Sequence, residues 1–393
     1  MRRNTIRFSG ALAAAAALSL GLAGCGGGGG GGTSGGGGAV TLGFIGAQTG
    51  DNAQLGINIS NGVKLAVDQY NKTNPKTKVT LKIYDTAGDP AIAPNQVNKA
   101  IQDKVQGVIG LPFSGESQAV QPTLEKAEIP NISPSATDPT LGKKGFKYFH
   151  RLVANDDAQG ASDAKFLTGT YKAKKVYVVD DNQQYSLGLA NIVFNTLKTG
   201  GTSVQRDKID PKASDYSSTV NKIKAFNPDA VFYGGYYAEG GKLLKQMRDA
   251  GVTAKFQSDD GSNDPNIIKT AGKKQAEGIT LSCACQSVAT STDPKVKKFI
   301  DDYKAAFGVG QGTYSAEGYD AANAFLDAIK AGNTTSQKIN DFLKTINVAG
   351  ISKQIQFTPQ GEVKSNTIYQ FQVLKGQLEF LGPTEKATPG KPA

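Results

Sequence analysis

From residue 39 onward, short apolar runs alternate with stretches whose apolar positions recur every three or four residues. Ala39 to Ile45 (AVTLGFI) reads as a buried strand closed by Gly46. Ile59, Val63, Ala66, Val67 and Tyr70 then mark one face of a helix, and Pro75 marks the loop behind it. The same rhythm predicts strands at 79–84, 107–110, 129–132 and 147–152, with helices at 92–101 and 117–127. It continues through helices 157–171, 184–198, 215–226 and 238–250 and strands 175–179, 203–209, 230–233, 255–258 and 278–282. Helices 295–307, 316–330 and 336–345 follow, then short strands at 354–357, 367–374 and 378–381. Strands alternating with long helices imply parallel sheets covered on both faces. The strands are too many for one compact open sheet. The expected fold class is therefore α/β, with two doubly wound parallel-sheet lobes. Residues 384–393 (TEKATPGKPA) read as a flexible, frayed tail.

The first 38 residues break this rhythm. Arg2, Arg3 and Arg7 form a positive start, and Ala11 to Leu22 is an apolar run too short to span a bilayer. It ends in Leu22-Ala23-Gly24-Cys25, the order of a bacterial lipoprotein signal, so residues 1–24 are expected to be a signal peptide and Cys25 to carry the lipid. Gly26 to Gly38, broken only by Thr33 and Ser34, cannot pack and reads as a tether of roughly 20 Å r.m.s. reach. The folded body is expected outside the cytoplasm, held to a membrane by this anchor.

Composition changes meaning once that leader is set aside. Of 48 glycines, 14 lie in residues 1–38, and three of the 44 basic residues lie there too. The chain from Cys25 onward carries 41 basic and 34 acidic residues, +7 where the whole sequence gives +10. The basic residues are mostly scattered lysines, with no clustered arginine and aromatic footprint for nucleic acid. No GxxxxGK(S/T), GxGxxG after a strand, HExxH or GxSxG occurs, and the single histidine, His150, sits on a predicted strand. Neither a catalytic set nor a cofactor or metal site is expected. Cys283 and Cys285 read as two thiols or as a disulfide, and a metal would need more ligands than their surroundings offer.

What remains are polar loops at the carboxyl ends of strands, where open α/β sheets bind ligands. Leu111 to Gln118 (LPFSGESQ) feeds a helix, and its free amides with the Ser114 hydroxyl suit a carboxylate. Ser133 to Pro139 is again rich in hydroxyls and amides. Asp259-Asp260-Gly261 offers acids for a cation, while Tyr185, Tyr236 and Tyr237 follow strands of the second half. An anion binder on one lobe facing a cation binder and aromatic lids on the other describes a cleft for a small zwitterion.

Residues 40 to 382 resemble the leucine/isoleucine/valine-binding family, the type I solute-binding proteins of ABC importers. The likeness rests on Val40 to Gly50, Tyr84-Asp85 with Asp89-Pro90, Gly110 to Gln118, Ile132 to Pro139 and Asp181 to Ala190 (DNQQYSLGLA). It rests also on Phe232 to Gly241 (FYGGYYAEGG), Met247 to Gly251 and Gly318 to Ala321. The resemblance implies that Ser114 holds the carboxylate of an α-amino acid and that Ser135, Ala136 and Thr137 hold both its carboxylate and its ammonium. It implies further that Asp260 takes the ammonium, that Tyr185 and Tyr236 close over the ligand, and that Pro112, Phe113 and Leu55 line the side-chain pocket. Tyr314 is a further pocket candidate. Gly88 and Phe113 stand where some members carry a disulfide pair, and Leu55 stands where branched-chain binders tend to have tyrosine. The resemblance also implies a three-crossing hinge near residues 154, 286 and 363. Lobe 1 is then 39–154 with 287–362, and lobe 2 is 155–286 with 363–383. The expected role is capture of an amino acid, branched-chain or similar, by a monomer that delivers it to an ABC permease. The alternative is the same fold binding an amide, urea or aromatic acid, or serving as a sensor.

Overall fold

The computed structural model describes residues 39–392. The expected signal peptide (1–24), Cys25 and the tether to residue 38 lie outside the described residues.

The chain begins with β1 (Val40–Gly46), α1 (Ala53–Lys72), β2 (Val79–Asp85), α2 (Ala93–Gln102), β3 (Gly107–Gly110) and α3 (Ser114–Lys126). It continues with β4 (Asn131–Ser133), the short α4 (Thr140–Lys143) and β5 (Phe149–Arg151). These five strands form one wholly parallel sheet in the order β2-β1-β3-β4-β5. β1 and β3 are buried along nearly their whole length, as strands covered on both faces must be.

The chain then crosses into a second sheet through α5 (Asp156–Lys165), β6 (Lys175–Asp180), α6 (Gln184–Thr199), β7 (Ser203–Lys208), α7 (Ser217–Phe226) and β8 (Ala230–Gly234). α8 (Tyr237–Asp249), β9 (Lys255–Ser258), α9 (Pro265–Ala271), α10 (Lys273–Ala276) and β10 (Thr280–Cys283) complete that run. It returns to the first sheet with α11 (Pro294–Phe307), α12 (Ser315–Lys330), α13 (Ser336–Thr345) and a small hairpin, β11 (Val348–Ala349) with β12 (Gln354–Ile355). A third crossing brings in β13 (Tyr369–Leu374) and β14 (Gln377–Pro383). The second sheet runs β14-β13-β10-β9-β8-β6-β7. The α/β class with two sheet lobes is therefore the observed one.

Three local expectations are corrected, and one open alternative is decided. Helix 157–171 stops being α-helical at Lys165 and widens into a π-turn over Phe166–Thr170. The second sheet is mixed, because β13 pairs antiparallel with β10 and with β14. β13 turns back on itself at Lys375-Gly376, both at positive φ (54° and 71°), the two-residue hairpin geometry that matches strand twist. Residues 384–392 are not frayed. Gly390 donates its N–H to Gln372 Oε1 (2.7 Å), and its carbonyl accepts from Gln372 Nε2 (3.1 Å), strapping the segment to β13. Finally, Cys283 and Cys285 are joined as a disulfide at the end of β10.

His150 is buried on β5, edge-on to Phe357 at 4.8 Å, and burial pushes its imidazole down to about 4. It is a neutral packing residue. Arg151 beside it is fully buried, yet each of its three nitrogens donates a hydrogen bond. It pairs in a fork with Glu362 from the third crossing and donates to the carbonyls of Ala136 (3.0 Å) and Asp138 (2.8 Å).

Candidate functional site

The carboxyl ends of β3 and β4 meet α3 at the cleft. Gly110 leaves β3 at φ +129°, and a Cβ there would lie 2.2 Å from the Ile45 carbonyl, so only glycine fits. The chain then swings through Leu111 (φ +50°) and Pro112 so that α3 starts at Ser114 with its first-turn amides aimed outward. Ser114 Oγ accepts from Asp138 N–H (3.2 Å), and Ser135 Oγ donates to the Pro112 carbonyl (2.9 Å). Two loops far apart in sequence are thus tied into one surface. Arg151 holds the Ala136 carbonyl on its own side. In a trans peptide the N–H points the opposite way, so the Thr137 amide faces away from the guanidinium.

Under Phe113, Glu116 is wholly buried and bonded to Thr86 and to Phe113 N–H (3.3 Å). Burial raises its carboxyl to about 7. Gly88 and Phe113 are neighbours, as the disulfide comparison implies. A Cβ at position 88 would meet the Phe113 ring at 2.8 Å, so the ring occupies the space of the missing bridge.

The opposing face is built differently. β9 ends in Asp259 and a single 3₁₀ turn, Asp260–Ser262. Asp260 Oδ1 accepts from Tyr185 Oη (2.6 Å) and Gln159 Nε2 (2.6 Å), and Oδ2 accepts from the Tyr314 hydroxyl. Gly261 allows this crowding, since a Cβ there would sit 2.9 Å from the Tyr185 ring. Asp259 Oδ2 accepts from Gly235 N–H (2.8 Å), fixing the turn that presents Tyr236. Both carboxyls are buried and raised above the ordinary range by burial. Asp259 is raised well above the ordinary range by burial and by Asp260 beside it, and the two carboxyls titrate as a pair. Asp260 is the one of the two that three side-chain donors meet. Tyr185 and Tyr314 are raised well above their usual value by burial and then by these acids, and Tyr236 by burial and then by Asp181.

The two faces stand closed against each other. Phe113 meets Tyr236 edge-on at 4.9 Å, and Gln184 Nε2 donates to Asp138 Oδ2 (3.0 Å). Asn52, at the start of α1, donates to Glu239 Oε2 (3.2 Å) and accepts from Ala238 N–H (3.3 Å) across the gap. Gln54 N–H donates to Tyr237 Oη (3.2 Å) beside them.

Leu55, Pro112, Phe113, Ser114, Ser135, Tyr185, Tyr236 and Asp260 all border one small cavity, joined by Gly261 and Tyr314. Ala136 and Thr137 are buried next to it in the same loop and do not border it. The cavity measures about 10 Å³, room for about one water. A larger cavity nearby is bordered by Tyr314 as well, but Asp260, Ser114 and Ser135 border only the small one.

Gln159 had no signal in the sequence. It is one polar residue on the buried face of α5, and only the fold places it against Asp260 and Ser282 Oγ (3.1 Å). Asp156 and Asp163 on the same helix are also buried, and burial followed by other interactions raises both carboxyls well above the ordinary range. Among the described residues no group of histidine, cysteine, aspartate and glutamate side chains is arranged to hold a metal.

The periplasmic binding protein family model matches residues 39–377. The leucine-, isoleucine-, valine-, threonine- and alanine-binding protein of Pseudomonas aeruginosa is 30% identical over 338 residues, 84% of this chain and 90% of that protein. Among solved structures, a leucine-binding protein of Thermotoga maritima is similar with a TM-score of 0.81 at 30% identity, covering 88% of this chain and 98% of that one. A branched-chain amino acid transporter substrate-binding protein of Streptococcus pneumoniae, in complex with isoleucine, gives 0.80 at 26% identity, covering 88% and 100%.

Proposed function

The chain belongs to the periplasmic binding protein family, and on that premise we propose that it captures an α-amino acid, branched-chain or similar, for delivery to an ABC permease. As a member of that family it is a transporter's substrate-binding protein and not an enzyme. The observation that carries the cargo is Asp260, on one lobe, facing the Ser114 hydroxyl and α3 amides on the other. A zwitterion with its carboxylate on Ser114, Ser135, Ala136 and Thr137 and its ammonium on Asp260 satisfies both faces only when the lobes are closed. Each charge-assisted hydrogen bond contributes roughly 1.5–3 kcal/mol.

Tyr185 and Tyr314 already give Asp260 hydroxyl donors. An incoming ammonium takes over part of that role, so binding proceeds through opening, exchange of donors and reclosure. Leu55, Pro112, Phe113 and Tyr314 then meet the side chain, and Tyr236 covers it. The names of the relatives support a branched-chain or small apolar side chain.

A calorimetric panel of amino acids, amides, urea and aromatic acids tests this reading. Leucine, isoleucine, valine or alanine should bind one to one. Binding of an amide or aromatic acid with no α-amino acid bound would overturn it.

The proposal extends to the anchor. Cys25 carries a lipid, and the body works as a tethered monomer outside the cytoplasm. Cys25→Ala should release the protein from the membrane fraction; retention would overturn the anchor.

A further inference from the structure

Behind Tyr314, on the side away from Asp260, lies a cavity of about 540 Å³. That is within the range of small-molecule sites, roughly 300–1,000 Å³. Its walls come from both lobes: Ile268, Phe371 and Leu378 on one side, Val288 and Ala316 on the other. The Tyr314 ring borders both this cavity and the small one at Asp260, and so partitions them. Tyr314 holds that place with a left-handed backbone (φ +67°), which tyrosine rarely adopts.

Two polar features break the apolar lining. Asn263 is 2% exposed, borders the cavity, and its Oδ1 has no hydrogen-bond partner. A buried amide oxygen left this way asks for a donor. Lys269 and Lys273 line the cavity as well, both exposed. The one acid in the lining, Glu317, is matched by Lys353 at 3.5 Å, so the two lysines leave a local excess of positive charge.

We propose that this cavity is a second ligand site, for an apolar monocarboxylate bearing one N–H or O–H donor. The carboxylate meets Lys269 and Lys273, the apolar body fills the space between the lobes, and the donor satisfies Asn263. Such a molecule lacks the ammonium that Asp260 takes, so the two sites divide ligands by charge. The site stands on its own lining and does not depend on the amino-acid reading of the cleft.

N-acetylleucine is the probe, titrated into the full chain saturated with leucine. One further molecule should bind, and leucine affinity should be unchanged or raised, because the occupant contacts both lobes in the closed arrangement. Lys269→Glu combined with Lys273→Glu, both surface changes, should weaken N-acetylleucine at least tenfold and leave leucine unaffected. Leu378→Trp, which fills the cavity from an edge strand, should do the same. Hexanoate, without a donor, should bind more weakly than N-acetylleucine. The proposal fails if N-acetylleucine does not bind the leucine-saturated protein, if it competes with leucine, or if the charge reversal leaves it unchanged. If leucine itself does not bind while N-acetylleucine binds and is lost on charge reversal, the amino-acid reading falls and this site stands.

Discussion

The two faces of the cleft solve opposite problems. The lobe 1 face, Ser114 with the 133–139 loop, is built of hydroxyls and amides already tied together by Ser135, Asp138 and Arg151. It needs no charge of its own and changes little when a carboxylate arrives. The lobe 2 face is built around buried carboxyls, and among the described residues no basic side chain bonds Asp260. It is satisfied by phenols that can be exchanged. A half built of hydroxyls and amides thus faces an acidic half whose donors can be exchanged, and selectivity for a cationic group should reside in the second.

The sharpest break of that contrast is Asp260→Ala. It should weaken leucine binding at least tenfold, up to about a hundredfold if the full charge-assisted bond is lost, with the circular dichroism spectrum unchanged. Unchanged affinity in calorimetry would place the ammonium on Asp259. Ser114→Ala should lower affinity less, about tenfold, since backbone amides still hold the carboxylate. A loss larger than that of Asp260→Ala would reverse the contrast. Asn52→Ala removes two interlobe bonds without touching the ligand and should weaken binding only about two- to fivefold, seen as faster dissociation in stopped flow.

The smallest effect is a pH dependence. Burial raises the Glu239 carboxyl to about 7, and its bond to Asn52 forms only between closed lobes. Opening exposes it and returns it toward its ordinary value, so the closed form binds the proton more tightly. Closure is favoured at lower pH and weakens as pH rises through 7. Leucine affinity should fall a few-fold between pH 6 and 8, and Glu239→Gln should flatten the curve. A curve of equal slope in that variant would shift the effect to Glu116, which is internal to lobe 1.

Much of this was legible in the sequence, for a physical reason. Strands covered on both faces and amphipathic helices leave period signals, and these located the longer elements from β1 to α13, while the short α4, α9 and α10 left no period to read. Ser114 and Asp260 were legible because they follow strands at the edge where ligands bind. The rest depends on contacts between segments. Gln159 is invisible until α5 docks on β9, and the Asn52–Glu239 contact does not exist until the lobes meet. Tyr314 looks like an ordinary loop aromatic, since nothing in its neighbours announces its left-handed turn. Residues 384–392 misled because polar composition suggests solvent, whereas the strap is made by the backbone of Gly390, which composition does not register.

That strap gives the molecule a built-in ruler. Ala39 leads straight into β1, an inner strand of the lobe 1 sheet, and residues 384–392 are fastened to the sheet of lobe 2. The two ends of the described chain are therefore fixed points on separate bodies, and both Ala39 and Lys391 are exposed. Fluorophores placed there would report the opening and shutting of the cleft as a change in transfer efficiency, with no label near the ligand.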